Sequence, residues 1–317
     1  MKSIKYKGFI MLLMLLSISV ISIIQSGFVM AAKYNASFKK GTETYTVSEY
    51  DETKWAEIIG DSVTPADFFG GDADKAQAKA KTTNLGWYDN ETSVYEMLLA
   101  LYIPDEYLPY LFALNELGIN RTTINEEYDT KIESWKIYQS VWKFTDNDFD
   151  VDPNISNNIV YVFKNPEDYK TGLDIYNQWI DDDDVNSAEL TLGFTFPNLT
   201  SDEFIWRLIQ RGQYFTAPSR GYLEGLVDAL DCEDCKVDGN MLILEKSGEE
   251  SYKIEVSYAN DGSYSRIKIL DEDGESFYEI SEDNTHLLLT WILLGFTIAA
   301  FAIPLSYWRF TVKKRRE

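Results

Sequence analysis

The sequence predicts an α+β fold: a predominantly antiparallel sheet with connecting helices and a C-terminal four-strand meander, followed by one transmembrane helix near the C-terminus. Three observations carry this reading. Between residues 241 and 281, apolar and polar side chains alternate between glycine-bearing turns. Between 200 and 230, two stretches combine helix-start signals with apolar residues at helical spacing. From Leu287 to Trp308 there is no charged residue at all.

In chain order, residues 1–32 read as an export signal. Lys2, Lys5 and Lys7 precede an apolar run from Gly8 to Ile24, and Val29-Met30-Ala31-Ala32 supplies the small residues of a cleavage site. Left uncleaved, the same run is long enough to serve as a signal anchor. Residues 33–284 form the acidic outer section. Thr42 to Glu49 reads as a strand. Gln77–Tyr88 and Thr92–Ile103 read as a hairpin about Asp89-Asn90, although Val94, Leu98 and Leu101 in the second arm also fit a helix. Asp105 to Leu117 reads as a helix stopped by Gly118, Asn158 to Phe163 as a strand, and Glu167 to Ile180 as a helix. Asp181 to Asp184 looks like a solvated run, with a sub-boundary near 181–186.

Thr200-Ser201-Asp202-Glu203 is a capping box opening a helix over Phe204 to Arg211, which Gly212 ends. Ser219 is expected to cap the next helix, whose Leu223, Leu226, Val227 and Leu230 follow the i, i+3, i+4, i+7 pattern. Four strands follow: Met241–Lys246, Ser251–Ala259, Ser263–Leu270 and Glu275–Ser281. Tyr252, Ile254, Val256 and Tyr258 mark a buried face, while Asn260-Asp261-Gly262 and Asp271-Glu272-Asp273-Gly274 supply left-handed turn residues.

The uncharged segment Leu287–Trp308, within an expected span of 285–308, has 22 residues. As a helix it reaches roughly 33 Å, against a hydrocarbon core of about 30 Å. Trp291, Tyr307 and Trp308 sit where interfacial aromatics belong. Arg309, Lys313, Lys314, Arg315 and Arg316 then crowd the stub 309–317, whereas Glu282 and Asp283 lie upstream. Basic flanks stay in the cytoplasm, so the lipid bilayer is the first expected partner. The large section is then extracellular and the C-terminus cytoplasmic.

Charge narrows the function classes. The chain has 29 basic and 52 acidic residues and a net charge of −23. Eight of those bases and one acid lie outside residues 33–284, which leaves that section near −30. Such a surface repels phosphate backbones, so nucleic acid is not an expected partner. It favours cationic partners, divalent ions included. His286 is the single histidine, too little for a His-rich zinc site.

Asp146, Asp148, Asp150 and Asp152 alternate along TDNDFDVDPN and are candidate calcium ligands, calcium being the one cofactor considered. In an extended segment the same carboxylates simply share a solvated face. Asp271, Asp273 and Glu275 invite the same two readings. Cys232-Glu233-Asp234-Cys235 follows a helix C-terminus amid acidic neighbours, which disfavours a reactive thiolate and points to a small structural disulfide. Asn35, Asn90, Asn120, Asn154 and Asn198 begin Asn-X-Ser/Thr glycosylation acceptors.

Trp87, Tyr88, Trp135, Tyr138 and Trp142 are candidates for a ligand-stacking platform. Helical spacing joins Ile132, Trp135, Tyr138 and Trp142, strand spacing joins Trp135, Ile137 and Val141, and core packing is the competing use for all of them. The expected function is therefore a single-pass, membrane-anchored cell-surface protein whose acidic domain binds an extracellular ligand or protein. A carboxylate-dependent hydrolase acting on glycans and an accessory subunit of a membrane complex are the alternatives.

Overall fold

The structure, a computed structural model, describes residues 34–61, 64–65, 79–103, 107–144, 154–247 and 250–283. The expected export signal, Asp146–Asp152, Leu287–Trp308 and the basic stub lie outside the described residues. No helix among those described is long and apolar enough to cross a membrane.

The fold is a mixture of helices and one curled antiparallel sheet, with nine strands among the described residues. The first half is a meander of β1 (Gly41–Tyr50), β2 (Lys79–Ser93), β3 (Lys131–Phe144) and β4 (Asn154–Phe163). The second is a meander of β5 (Cys235–Asp238), β6 (Met241–Ser247), β7 (Ser251–Tyr258), β8 (Tyr264–Leu270) and β9 (Ser276–Glu282). The sheet order β4-β3-β2-β1-β9-β8-β7-β6-β5 joins them through β1 and β9, with Val47 opposite Ile280. Among the described residues that seam is the longest-range strand pairing, and it buries Tyr45, Val47 and Ile280.

Helices fill the connections. Asp51 accepts hydrogen bonds from the backbone N–H groups of Thr53 and Lys54, starting α1 (Glu52–Ile58), which buries Trp55 and Ile58. Short α2 (Val94–Met97) runs into a π-helical turn at Leu98–Tyr102, followed by α3 (Leu108–Glu116) and α4 (Arg121–Tyr128). Between the two meanders lie α5 (Asp168–Ile180), α6 (Asp183–Leu192), α7 (Ser201–Gln210) and α8 (Ser219–Leu230). The site of the expected sub-boundary is the turn between α5 and α6, and Trp179, Ile180, Val185 and Ala188 on its two sides belong to one buried cluster.

Two close approaches hold the helical layer together. A Cβ on Gly172 of α5 would meet the Tyr102 hydroxyl at 2.2 Å and Met97 Sδ at 2.8 Å, so only glycine lets α5 lie on the π-helical turn. Tyr102 uses that proximity to donate to Tyr169 O at 2.9 Å. The carbonyls that the turn leaves unpaired are taken by α7 and the residue after it. Arg207 donates to Tyr102 O, and Arg211 donates to Ala100 O and, at 2.6 Å, to Ile103 O.

The four C-terminal strands, the first strand and the Thr200–Glu203 capping box stand where the sequence placed them. Three expectations need correction. The hairpin about Asp89-Asn90 does not exist: both residues lie inside β2, which pairs with β3 from Lys79 to Ser93. The chain turns only at Ser93, where Ser93 and Glu96 form a capping box that starts α2. Ser219 does not cap α8. Pro218 holds the cap position without a side-chain bond, and Ser219 is the first helical residue, its hydroxyl directed to Ala259 O. Finally, the run Asp181–Asp184 is not merely solvated, because Asp182 caps α6 by accepting from Asp184 N and Val185 N.

Candidate functional site

The five candidate stacking aromatics do not form one platform. Alternation along β2 and β3 sends Trp87 and Trp135 to one face of the sheet and Tyr88 and Tyr138 to the other. Phe38 stands edge-on to both tryptophans, at 5.8 and 6.1 Å between ring centroids, and Trp87 Nε1 donates to Phe38 O at 3.0 Å. Trp135 is 5% exposed and carries the Lys164 ammonium over its ring. These two are core. The Trp142 side chain lies outside the described part of the structure.

On the opposite face, Tyr88 and Tyr138 are 44% and 37% exposed, with hydroxyls 2.9 Å apart and ring centroids at 5.8 Å. Lys136 faces Tyr88 across one strand gap and Tyr161 across the other. Its ammonium lies 5.9 Å from the Tyr138 ring centroid and 5.0 Å from that of Tyr161. Ile159, opposite Tyr138, is also exposed. At Gly86, the other neighbour of Tyr138, a Cβ would stand 3.3 Å from Lys40 Nζ.

The charge states on this face follow from its packing. The Tyr88 phenol is raised by its bond to Tyr138 and then by burial, and the Tyr161 phenol by burial. For Lys136 burial is the largest influence and opposes the charge, but the bond to Tyr161 and the electrostatic interactions with Tyr161, Tyr88 and Tyr138 together outweigh it and raise the pKa. The face therefore presents the Tyr88 and Tyr138 rings beside a retained cation, with Tyr161 buried behind it. Neither Lys40 nor Lys136 has a carboxylate partner among the described ion pairs, although carboxylates dominate the outer section. Tyr161, Lys136 and Lys40 were not singled out from sequence. Strand spacing through Trp135 and Ile137 places Lys136 and Tyr138 together on the opposite face.

Carboxylate chemistry finds one conspicuous pair, Glu43 and Asp261. Ser263 Oγ lies 2.7 Å from Asp261 Oδ1 and 3.3 Å from Glu43 Oε1, while Tyr45 donates to Glu43 Oε2 at 2.8 Å. Lys39 pairs with Asp261 at 3.3 Å. Burial, followed by repulsion from Asp261 and Glu282, pushes Glu43 up to about 7. A hydrolase needs substrate between its two acids. Here a serine hydroxyl bridges them and Asp261 is buried, so the pair serves the seam between β1 and the β7–β8 turn.

The remaining candidates have local roles. Asp271 and Glu275 receive the Lys54 ammonium at 2.6 and 3.0 Å, tying α1 to the β8–β9 turn. Among the described residues no group of three or more His, Cys, Asp or Glu is arranged to hold a metal ion. Asn35 and Asn198 are exposed, and Asn120 caps α4 through its side chain. Asn90 donates to Thr92 Oγ1 at 3.2 Å, and Thr92 is buried. The Asn154 side chain lies outside the described part.

Cys232 and Cys235 are bonded, S–S 2.00 Å, between the end of α8 and the start of β5. Asp231, with φ 51°, ends the helix, and both cysteines are buried. The loop is short, so the entropy model assigns the crosslink about 2 kcal/mol. Replacing both cysteines by serine should lower the thermal midpoint by roughly 4–8 °C without loss of the sheet, as read by circular dichroism.

Comparison of the chain with models of known families, with characterised proteins and with solved structures finds no match.

Proposed function

We propose that the chain is a single-pass, membrane-anchored surface protein whose acidic domain binds a hydroxylated ring ligand bearing an anionic group on the Tyr88–Lys136–Tyr138 face. The observation that carries the reading is an exposed, hydrogen-bonded pair of phenols beside a lysine without a carboxylate partner among the described ion pairs, on a chain with a large excess of acid. Phenol rings offer flat apolar area with a polar rim, which suits the C–H face and hydroxyls of a sugar. Lys136, flanked by rings, supplies the charge that selects an acidic sugar over a neutral one. Leu287–Trp308 and the basic stub anchor the domain, with the binding face outside.

The test titrates the full-length chain in detergent micelles with an oligosaccharide of alternating glucuronate and N-acetylglucosamine, using an N-acetylglucosamine oligomer as neutral control. The acidic oligosaccharide should bind more tightly. The Tyr88→Ala/Tyr138→Ala double variant should weaken it by roughly 30-fold, about 2 kcal/mol, while the melting curve stays close to that of the parent. Lys136→Met should erase the preference for the acidic oligomer. Equal binding by parent and double variant would contradict the assignment, as would no binding by either.

A further inference from the structure

A cleft of about 400 Å³ lies between α4 and α6 and shares no lining residue with the tyrosine face. Its walls include Thr123, Ile124 and Glu127 from α4, and Asp184, Ser187 and Thr191 from α6, with Asp182 at the head of α6. Trp179, the last-turn tryptophan of α5, also lines it. Trp179 is 1% exposed, and its indole N–H donates to no acceptor among the described residues. A buried donor without a partner costs roughly 1–3 kcal/mol, and bound molecules or ordered water commonly relieve it.

The other polar groups of the cleft are spent as donors. Thr123 Oγ1 donates to backbone carbonyls at Gly118 and Asn120, Ser187 Oγ to Asp183 O at 2.7 Å, and Thr191 Oγ1 to Ser187 O at 2.9 Å. What they offer a guest is lone pairs. The carboxyls of Glu127, Asp182 and Asp184 add more, and crowding shows in Glu127, whose pKa is raised by burial and then by Asp182 and Asp184. The cleft is thus lined by acceptors, with the unpartnered Trp179 indole in its wall. Its acids are not grouped to chelate a metal ion.

We infer that this cleft binds a small organic molecule carrying a primary ammonium group next to a hydrogen-bond acceptor, the ammonium among Glu127, Asp182 and Asp184 and the acceptor on the Trp179 indole N–H. An ammonium brings three donors and a positive charge to three acids that have no cationic partner among the described ion pairs. The volume suits a small ligand. A lysyl residue with its amide carbonyl and an amino sugar with its hydroxyls share this chemistry.

The inference is tested on the full-length chain in detergent micelles, with ¹⁵N-labelled tryptophan, by following the Trp179 indole resonance. The probes are N-acetyl-lysine methylamide, its uncharged isostere N-acetyl-norleucine methylamide, glucosamine, glucose and calcium chloride. At least one ammonium probe should shift the Trp179 signal saturably, and its neutral counterpart should bind roughly tenfold more weakly or not at all. Which ammonium probe binds more tightly distinguishes a peptide source from a sugar source. Glu127→Gln and Asp184→Asn should each weaken binding roughly two- to fivefold. Asp182 is left intact because it caps α6. No shift with either ammonium probe, equal binding of the neutral analogues, indifference to both acid variants, or the same shift from calcium alone would overturn the inference.

Discussion

Gly262→Ala should unfold the domain or lower its thermal midpoint by roughly 10 °C or more, whereas Gly274→Ala should cost only a few degrees. Both glycines end tight turns in the C-terminal meander, and both have positive φ, 86° and 81°. An alanine at either position meets the left-handed penalty of about 1–2 kcal/mol. Nothing lies within 4 Å of a Cβ at Gly274. At Gly262 the new carbon would stand 1.6 Å from Phe215 O and 2.8 Å from Phe215 C. Relief would require moving the backbone of residues 214–216, which is itself bonded through Phe215 N to Gly262 O at 2.9 Å. That segment also holds Thr216 to Asn35 O and carries the buried Tyr214 and Phe215. Melting both variants by circular dichroism checks the contrast, and equal losses would contradict it.

Glu43→Gln should stabilise the protein above neutral pH, by about 3 kcal/mol or roughly 5–10 °C at pH 8, and change little near pH 4. The sign follows from the direction of the shift. In the unfolded chain Glu43 titrates near 4.5, and in the fold it is pushed up to about 7 by burial and by Asp261 and Glu282. Below the lower value both states hold the proton and nothing is lost. As pH rises between the two, the unfolded chain releases its proton first, so stability falls, and beyond about 7 the loss is complete.

The hydrogen bonds from Tyr45 and Ser263 favour the carboxylate, but burial outweighs them. A glutamine side-chain oxygen still accepts from Tyr45 and carries no charge to bury. Lys39 reaches Asp261, while Tyr214 and Tyr264 around the site are kept neutral by burial. Thermal midpoints of parent and variant from pH 4 to 8 provide the check; a variant destabilised at pH 8 would contradict the protonated seam.

These two residues mark where sequence stops being informative. The meander was legible because Tyr252, Ile254, Val256 and Tyr258 alternate and each turn carries its glycine. Yet Gly262 and Gly274 look alike as letters, and only the long-range packing of the 214–218 segment separates a clamped turn from a free one. The box at Ser93–Glu96 is equally present in the sequence, but the apolar run beyond it fits a strand as well as a helix. The acidic run at Asp181–Asp184 conceals a cap because four adjacent carboxylates fit a solvated stretch as well as a helix start, and only the buried Val185 and Ala188 separate the two.

The candidate site was half legible. Residue type singled out Tyr88 and Tyr138, but separating them from Trp87 and Trp135 required knowing that this segment is a strand, and how β2 and β3 register. Lys136 became visible only as the residue between them. The protonation of Glu43 could not be read at all, since Asp261 and Ser263 lie some two hundred positions away and meet it through the β1–β9 seam.

Protease treatment of intact cells tests the anchored, outward-facing arrangement most directly. An antibody against the domain, residues 33–284, should lose its signal as protease digests the outer section, while a tag placed after residue 317 stays protected and sediments with the membrane fraction. Survival of the domain signal until the cells are lysed, or a tagged chain that remains in the supernatant without detergent, would contradict the account.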